Sequence, residues 1–261
     1  ITVDGPTLNE EIENELKKYK VTILHNKERK GQTARNEQIM KAVKTDVVIM
    51  TQDDILFKPN TIEVILKKFA AEPELTMIAP KIEPLEAENL FEHALHRGVR
   101  IAQRISKNWN RGDNYLSSIG RCLAYRTDIV QKFEVPETVI NCDAYYYFEN
   151  KRQSGTFAFV PEAVVHYRSP QTMNDHLKQV RKFVISEKEL SSYLKMDLKN
   201  DYKPPSSLLF KSLLTEFSIS PLLTVTYILI SIWARTRSKS FYEKVTHLWE
   251  TDTSTKKLNE I

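Results

Sequence analysis

The run Val47-Val48-Ile49-Met50 closes on Thr51-Gln52-Asp53-Asp54, so four apolar residues end at two adjacent carboxylates. A strand of this kind has no polar face and must be covered on both sides, as in the middle of an α/β sheet. Ligands of open α/β sheets sit in the crevice beyond the carboxyl ends of the strands. Two Asp residues there supply oxygen ligands for a hard divalent cation, which can in turn neutralise a substrate's phosphates. The plainer alternative is a strand-to-loop turn with solvated Asp side chains.

The surrounding pattern extends this reading. Ile1–Val3 is strand-like and runs into the turn Asp4-Gly5-Pro6-Thr7. Leu8–Tyr19 has helical spacing, with Glu early and Lys late, which suits the helix dipole. A strand at 21–24, a helix at 31–43, the strand at 47–50, a helix at 61–69 and a strand at 75–79 follow. Such alternation predicts a parallel, doubly wound sheet. Further on, the pattern predicts a long polar helix at 86–105, a strand at 119–125 and an aromatic-rich helix at 144–151. Strands at 156–160 and 163–167 and a helix from Met173 to Leu198 complete it, up to the break at Lys203-Pro204-Pro205.

With 261 residues, 41% apolar and 10% aromatic, one large α/β domain plus an appendage is expected. The net charge of +4 is spread over 38 basic and 34 acidic residues, and no nucleic-acid partner is expected. Cys122 and Cys142 make neither a zinc spacing nor a disulfide framework, which fits a reducing cytoplasm. No signal peptide opens the chain, and its strand-like start at Ile1 reads as that of a fragment.

Several stretches stand out along this series. They are Asp4 ending Ile1-Thr2-Val3-Asp4; Lys30-Gly31-Gln32-Thr33-Ala34-Arg35-Asn36 opening a helix; Thr51-Gln52-Asp53-Asp54; Ser118-Ile119-Gly120-Arg121; Asn141-Cys142-Asp143 before a helix; Val165-His166-Tyr167; and Gln179-Val180-Arg181-Lys182-Phe183. In this order, from Ile1 to about Phe183, they resemble the GT-A-type nucleotide-sugar glycosyltransferases of the large inverting family 2. The resemblance implies that Asp4 accepts hydrogen bonds from the nucleotide base. It also places Lys30 and Arg35 at a helix start that favours an anionic ligand, the alternative being an ordinary solvated helix start. Asp53 becomes the better cation and donor contact of the metal-binding motif, with Asp54 beside it as a second ligand or a capping group. Gly120 allows close backbone approach on a strand facing the acceptor, or marks a bulge. Asp143 becomes the catalytic base, although Asp is also a favoured helix cap. Gln179, Lys182 and Phe183 match a box that binds acceptor sugar and diphosphate.

The departures are specific. Thr51 and Cys142 stand where relatives carry acids, and Tyr167 where they often place a metal-binding His. His166 is one residue early and points to the opposite strand face, so it is not assigned as a ligand. The family's first strand would precede Ile1.

The fold expected is therefore α/β, GT-A-like and doubly wound, with a mostly parallel sheet and a C-terminal apolar helical appendage. Residues 1–203 are expected to form the catalytic domain without its first strand, and 204–261 a membrane-associated helical region and tail. Phe217–Trp233 is an uninterrupted apolar run of seventeen residues, at the short edge of the ~17–25 that span a bilayer. Arg235, Arg237 and Lys239 follow it, and a basic domain precedes it. Positive charge on both flanks favours a hairpin or in-plane helix broken near Ser218–Pro221, over a single span or a buried pair. The expected activity, on the cytoplasmic face of the cell membrane, is inverting sugar transfer from a nucleotide-diphosphate sugar to a glycan or lipid-linked hydroxyl, with Mg²⁺ or Mn²⁺. The rivals are a nucleotidyltransferase and a catalytically silent membrane-attached binding domain.

Overall fold

The computed structural model describes residues 1–5, 8–239, 248, 254–256 and 258, without the side chains of Lys182, Val184, Ile185 and Lys239. In chain order the elements are β1 (Thr2–Asp4), α1 (Glu10–Lys17), β2 (Leu24–Asn26), α2 (Gln32–Ala42), β3 (Val47–Thr51), β4 (Ile55–Phe57), α3 (Thr61–Ala71) and β5 (Leu75–Pro84). Then come α4 (Leu90–Asn108), β6 (Cys122–Arg126), α5 (Thr127–Val130), α6 (Cys142–Arg152), β7 (Thr156–Tyr167), α7 (Met173–Leu194), α8 (Ser206–Ile219) and α9 (Pro221–Lys239). Local chemistry sets several boundaries. Asn9 and Asn89 accept from backbone N–H groups in the first turns of α1 and α4, satisfying donors that have no partner within the helix. Pro204-Pro205 ends the preceding segment, and α8 starts on the next residue.

Among the described residues, β1 and β2 pair in parallel as a small separate sheet, and the main sheet runs β3-β6-β5-β7-β4. Only β5–β7 is parallel there; β3–β6, β5–β6 and β4–β7 are antiparallel. The sheet is thus mixed where a mostly parallel one was expected. A strand covered on both faces is apolar whichever way it runs, so the pattern that revealed these strands carries no directional information. The coverage itself is clear from alternation. Val48, Met50, Met77, Leu123 and Tyr125 pack with Met40 of α2, Tyr146 of α6 and Leu190 of α7. Val47, Ile49, Ile78 and Ala124 face the other way, onto Ile65 and Phe69 of α3.

The expected pair of strands around Pro161-Glu162 is a single β7. Its register against β5 slips from Pro80↔Val160 to Lys81↔Val164, so the extra residues bulge without ending the strand. β4 was not anticipated; three residues give no period to detect.

The expected break between apolar helices falls at Ser220. No helix among the described residues is long and apolar enough to cross a membrane. Instead α8 and α9 dock on α4. Glu216 is fully buried between Arg97, at 3.0 Å, and Arg104. Gly98 leaves the notch that receives the Tyr227 ring, since a β-carbon there would lie 2.1 Å from it.

Candidate active site

Strand directions bring the motifs to one end of the main sheet. Thr51 at the end of β3 pairs with Cys122 at the start of β6, and Tyr167 at the end of β7 pairs with Ile55 at the start of β4. The turn Gln52-Asp53-Asp54 joins the two edge strands and so passes over the sheet's end. It is pinned to the strand between, because Gln52 N and Thr51 Oγ1 both donate to Arg121 O, at 3.2 and 3.1 Å.

Asp143 lies at the same end. Asn141, not Asp143, caps α6 by accepting from Ala144 N at 3.3 Å. Capping therefore does not account for Asp143, which sits in the first turn with its carboxylate against Gly120. A β-carbon on Gly120 would fall 1.8 Å from Asp143 Oδ1, so glycine is required by this close approach, as the sequence suggested. Cys142 Sγ donates to the same oxygen at 3.2 Å; burial, and then the Asp143 charge, push its thiol well above its ordinary value, so it stays protonated. Gln32 and Asn36 of α2, with Thr51, Gly120, Asp143 and Tyr146, line one small pocket.

The opposite side of the α2 N-terminus is organised by Asp4. Its Oδ1 accepts from Lys30 N at 2.9 Å and Arg35 Nε at 2.7 Å, and its Oδ2 from Gly31 N at 2.9 Å. Burial raises its pKa, but these hydrogen bonds outweigh that and hold the carboxyl below its usual range. Both oxygens are thus already engaged, and Asp4 and Arg35 build the loop. Lys30 contributes its backbone N–H to Asp4, while its half-exposed side chain lies 3.9 Å from Glu28.

Asp53 and Asp54 differ sharply. The Asp53 side chain is 81% exposed, and Lys256 Nζ donates to its Oδ1. Asp54 is buried, with Oδ2 3.4 Å from Arg121 Nη1 and Oδ1 without a hydrogen-bond partner. The Arg121 guanidinium lies over the Tyr167 ring at 4.1 Å. Tyr167, at the place of the expected His, thus supports a cation that steadies Asp54. No three acidic, His or Cys groups among the described residues cluster as a metal cage. Two carboxylates, one of them with an unused buried oxygen, fit a Mg²⁺ or Mn²⁺ ion that takes its remaining ligands from substrate phosphates and water.

The model of the glycosyltransferase-like family 2 matches residues 7–185, more than half of the chain. The chain belongs to this glycosyltransferase family. No curated protein matches it. Among solved structures, it is similar to the mannosyltransferase PcManGT from Pyrobaculum calidifontis, in complex with GDP-Man and Mn²⁺. Identity is 13%, the TM-score is 0.51, and the match covers 85% of this chain and 69% of that one. At that identity the likeness shows the shared fold alone.

In this family 2 glycosyltransferase the box Gln179–Phe183 lies on α7. Gln179 is half-buried, Phe183 is 63% exposed, and the Lys182 side chain lies outside the described residues. Four contributors escaped the sequence reading. Gln32 and Asn36 carried a detectable signal, because at i and i+4 they share a helix face that Gly31 and Arg35 do not. Arg121 and Lys256 carried none; their partners are 67 and 203 residues away in sequence.

Proposed function

We propose that this chain transfers a sugar, with inversion, from a nucleotide-diphosphate sugar to a hydroxyl of a membrane-linked glycan acceptor. The observation that carries the proposal is Asp143: with the capping role filled by Asn141, it is seated on Gly120 and lines the same small pocket as Thr51. The carboxylate takes the proton of the acceptor hydroxyl as its oxygen attacks the anomeric carbon. The bond from that carbon to the diphosphate breaks on the opposite face, which inverts the configuration. Asp53 and Asp54 would hold a divalent cation that supplies Lewis-acid neutralisation of the departing diphosphate. Asp4 and Arg35 hold the loop that presents the α2 N-terminus and Lys30 to the donor's negative charge.

A panel of nucleotide sugars, assayed for hydrolysis and transfer with and without Mn²⁺, tests this reading. In calorimetric titrations, Asp53→Ala is expected to lose at least about ten-fold in Mn²⁺-dependent donor affinity, with the fold intact because the side chain lies outside the core. Unchanged affinity would remove Asp53 from the site. A chain inert toward every donor would favour the silent binding domain.

The membrane part rests on α8 and α9. Phe210, Leu214 and Phe217 on α8, and Leu222, Val225, Leu229 and Ile232 on α9, are exposed at helical spacing, Leu222 at 82%. The inward faces hold Ser212, Glu216, Thr224 and Ala234. A helical pair more apolar outside than inside matches a lipid medium, and helices not apolar enough throughout to span lie in its surface plane. Arg235 and Arg237 then face lipid phosphates. The protein is expected to sediment with phosphatidylglycerol-containing vesicles, and the double substitution Leu222→Glu, Leu229→Glu to leave it in the supernatant with donor hydrolysis unchanged. Failure of the unsubstituted protein to bind vesicles would remove the membrane from the proposal.

A further inference from the structure

The segment Ser254–Lys256 is a single short turn, distant in sequence from every motif above, yet it is fastened beside the paired aspartates. Ser254 Oγ donates to Asp175 Oδ2 at 2.6 Å and accepts from Gln171 N at 3.3 Å. Ser254 and Thr255 are buried, at 8% and 3% exposure. Asp175 is itself fixed in the first turn of α7, where its N–H donates to the capping Thr172 hydroxyl and Lys178 approaches its Oδ1 at 3.4 Å. The anchor is therefore a buried hydrogen-bonded cluster at the start of α7.

From this anchor Lys256 reaches across to the aspartates. Its Nζ donates to Asp53 Oδ1 and lies 3.9 Å from Asp54 Oδ2. The ammonium thus sits between the two carboxylates from which a divalent cation would draw its ligands. A Mg²⁺ ion binds oxygen at about 2.0–2.1 Å, and Mn²⁺ favours the same kind of oxygen site. An ion held by these oxygens would lie within a few ångströms of Nζ, where two positive charges repel strongly. Asp54 Oδ1 has no hydrogen-bond partner. Ammonium and divalent cation cannot both hold this place.

We propose that Lys256 is an internal competitor for the divalent-cation position: its ammonium holds Asp53 and Asp54 until a metal ion, alone or with a nucleoside diphosphate, displaces it. The proposal rests on the reading of Asp53 and Asp54 as cation ligands. Competition by an internal group lowers apparent affinity by the fraction of molecules whose site is free. Lys256 thereby raises the metal concentration at which the donor site forms, and the Ser254–Asp175 anchor sets how strongly it does so.

Mn²⁺ binding measured by paramagnetic resonance of the free ion, with no sugar donor present, tests this directly on the full chain. Lys256→Ala is expected to bind Mn²⁺ about three- to ten-fold more tightly than the unsubstituted protein. Lys256→Arg keeps the charge and should bind as weakly as the original. Ser254→Ala, which only loosens the anchor, should shift affinity in the same direction as Lys256→Ala by a smaller factor. Equal affinity in Lys256→Ala, with binding still lost in Asp53→Ala, would overturn the competition and leave the metal site standing. Weaker binding in Lys256→Ala would overturn it in the other direction, making Lys256 a supporter of the bound state. Loss of Mn²⁺ binding in neither Asp53→Ala nor Asp54→Ala, or no binding by any form, would overturn the cation reading and the competition together.

Discussion

Asp143→Asn is expected to lower turnover by about 10²–10⁴-fold, the usual worth of a positioned general base, while donor affinity stays within about two-fold. The substitution preserves size and an oxygen that can accept from Cys142, and α6 keeps its cap because Asn141 supplies it. Stability should therefore change by no more than about 0.5 kcal/mol. Steady-state kinetics beside calorimetric donor titration separates the two effects. Near-normal turnover would return Asp143 to a structural role. Gly120→Ala provides a second approach that keeps the carboxylate. Its new β-carbon would stand 1.8 Å from Asp143 Oδ1, so the side chain must swing away. A smaller fall, about ten- to a hundred-fold, is expected, in keeping with the rate lost when a reacting group is misplaced by about an ångström. If Gly120→Ala were as active as the original, the seat observed for Asp143 would not be the working one.

The contrast between Asp143 and Lys256 shows which parts of this site can be read from sequence. β3 announced itself because Val47–Met50 is apolar without interruption and stops on polar residues. Asp143 could be located because Asn141-Cys142-Asp143, at a helix start, resembles the family's acidic pair, although the sequence could not tell a cap from a base. Only the structure shows that Asn141, two residues earlier, already fills the capping role. The direction of β6 was hidden, since Leu123-Ala124-Tyr125 is buried on both faces and would look the same run either way. The helix α6 has almost no amphipathic period, because Ala144 through Asn150 are all buried; its aromatic richness marked it instead. Contacts such as Arg121 with Asp54 and Lys256 with Asp53 join segments that share no local pattern. They depend on where the folded chain returns, and helix or strand periodicity does not reach that far.

Glu216→Ala is expected to destabilise the protein by about 3–5 kcal/mol, because it leaves two guanidinium groups facing each other without the charge that neutralises them. Glu216 has no exposure, and Arg97 retains only 12%. Arg104 keeps 32%, so water relieves part of its loss and the lower end of that range is the better expectation. The change would be read from the midpoint of chemical denaturation. A shift worth less than about 1 kcal/mol would mean that water reaches the cluster and that it behaves as a surface pair. Replacing all three residues together, Glu216→Leu with Arg97→Met and Arg104→Met, should recover most of the stability, since apolar packing can substitute for a buried ionic cluster. The consequence for function is separable from the loss of stability. Glu216 and the Gly98–Tyr227 notch fix the orientation of α8 and α9 against α4, and so, on the proposed membrane docking, they would set the angle of the apolar outer face relative to the catalytic end of the sheet. Under conditions where Glu216→Ala remains folded, transfer to a vesicle-embedded acceptor should therefore fall well below donor hydrolysis, whereas the apolar triple replacement should keep the two in their original ratio. An equal fall in both activities would tie the cluster to the catalytic domain itself and leave the helical pair without an orienting role.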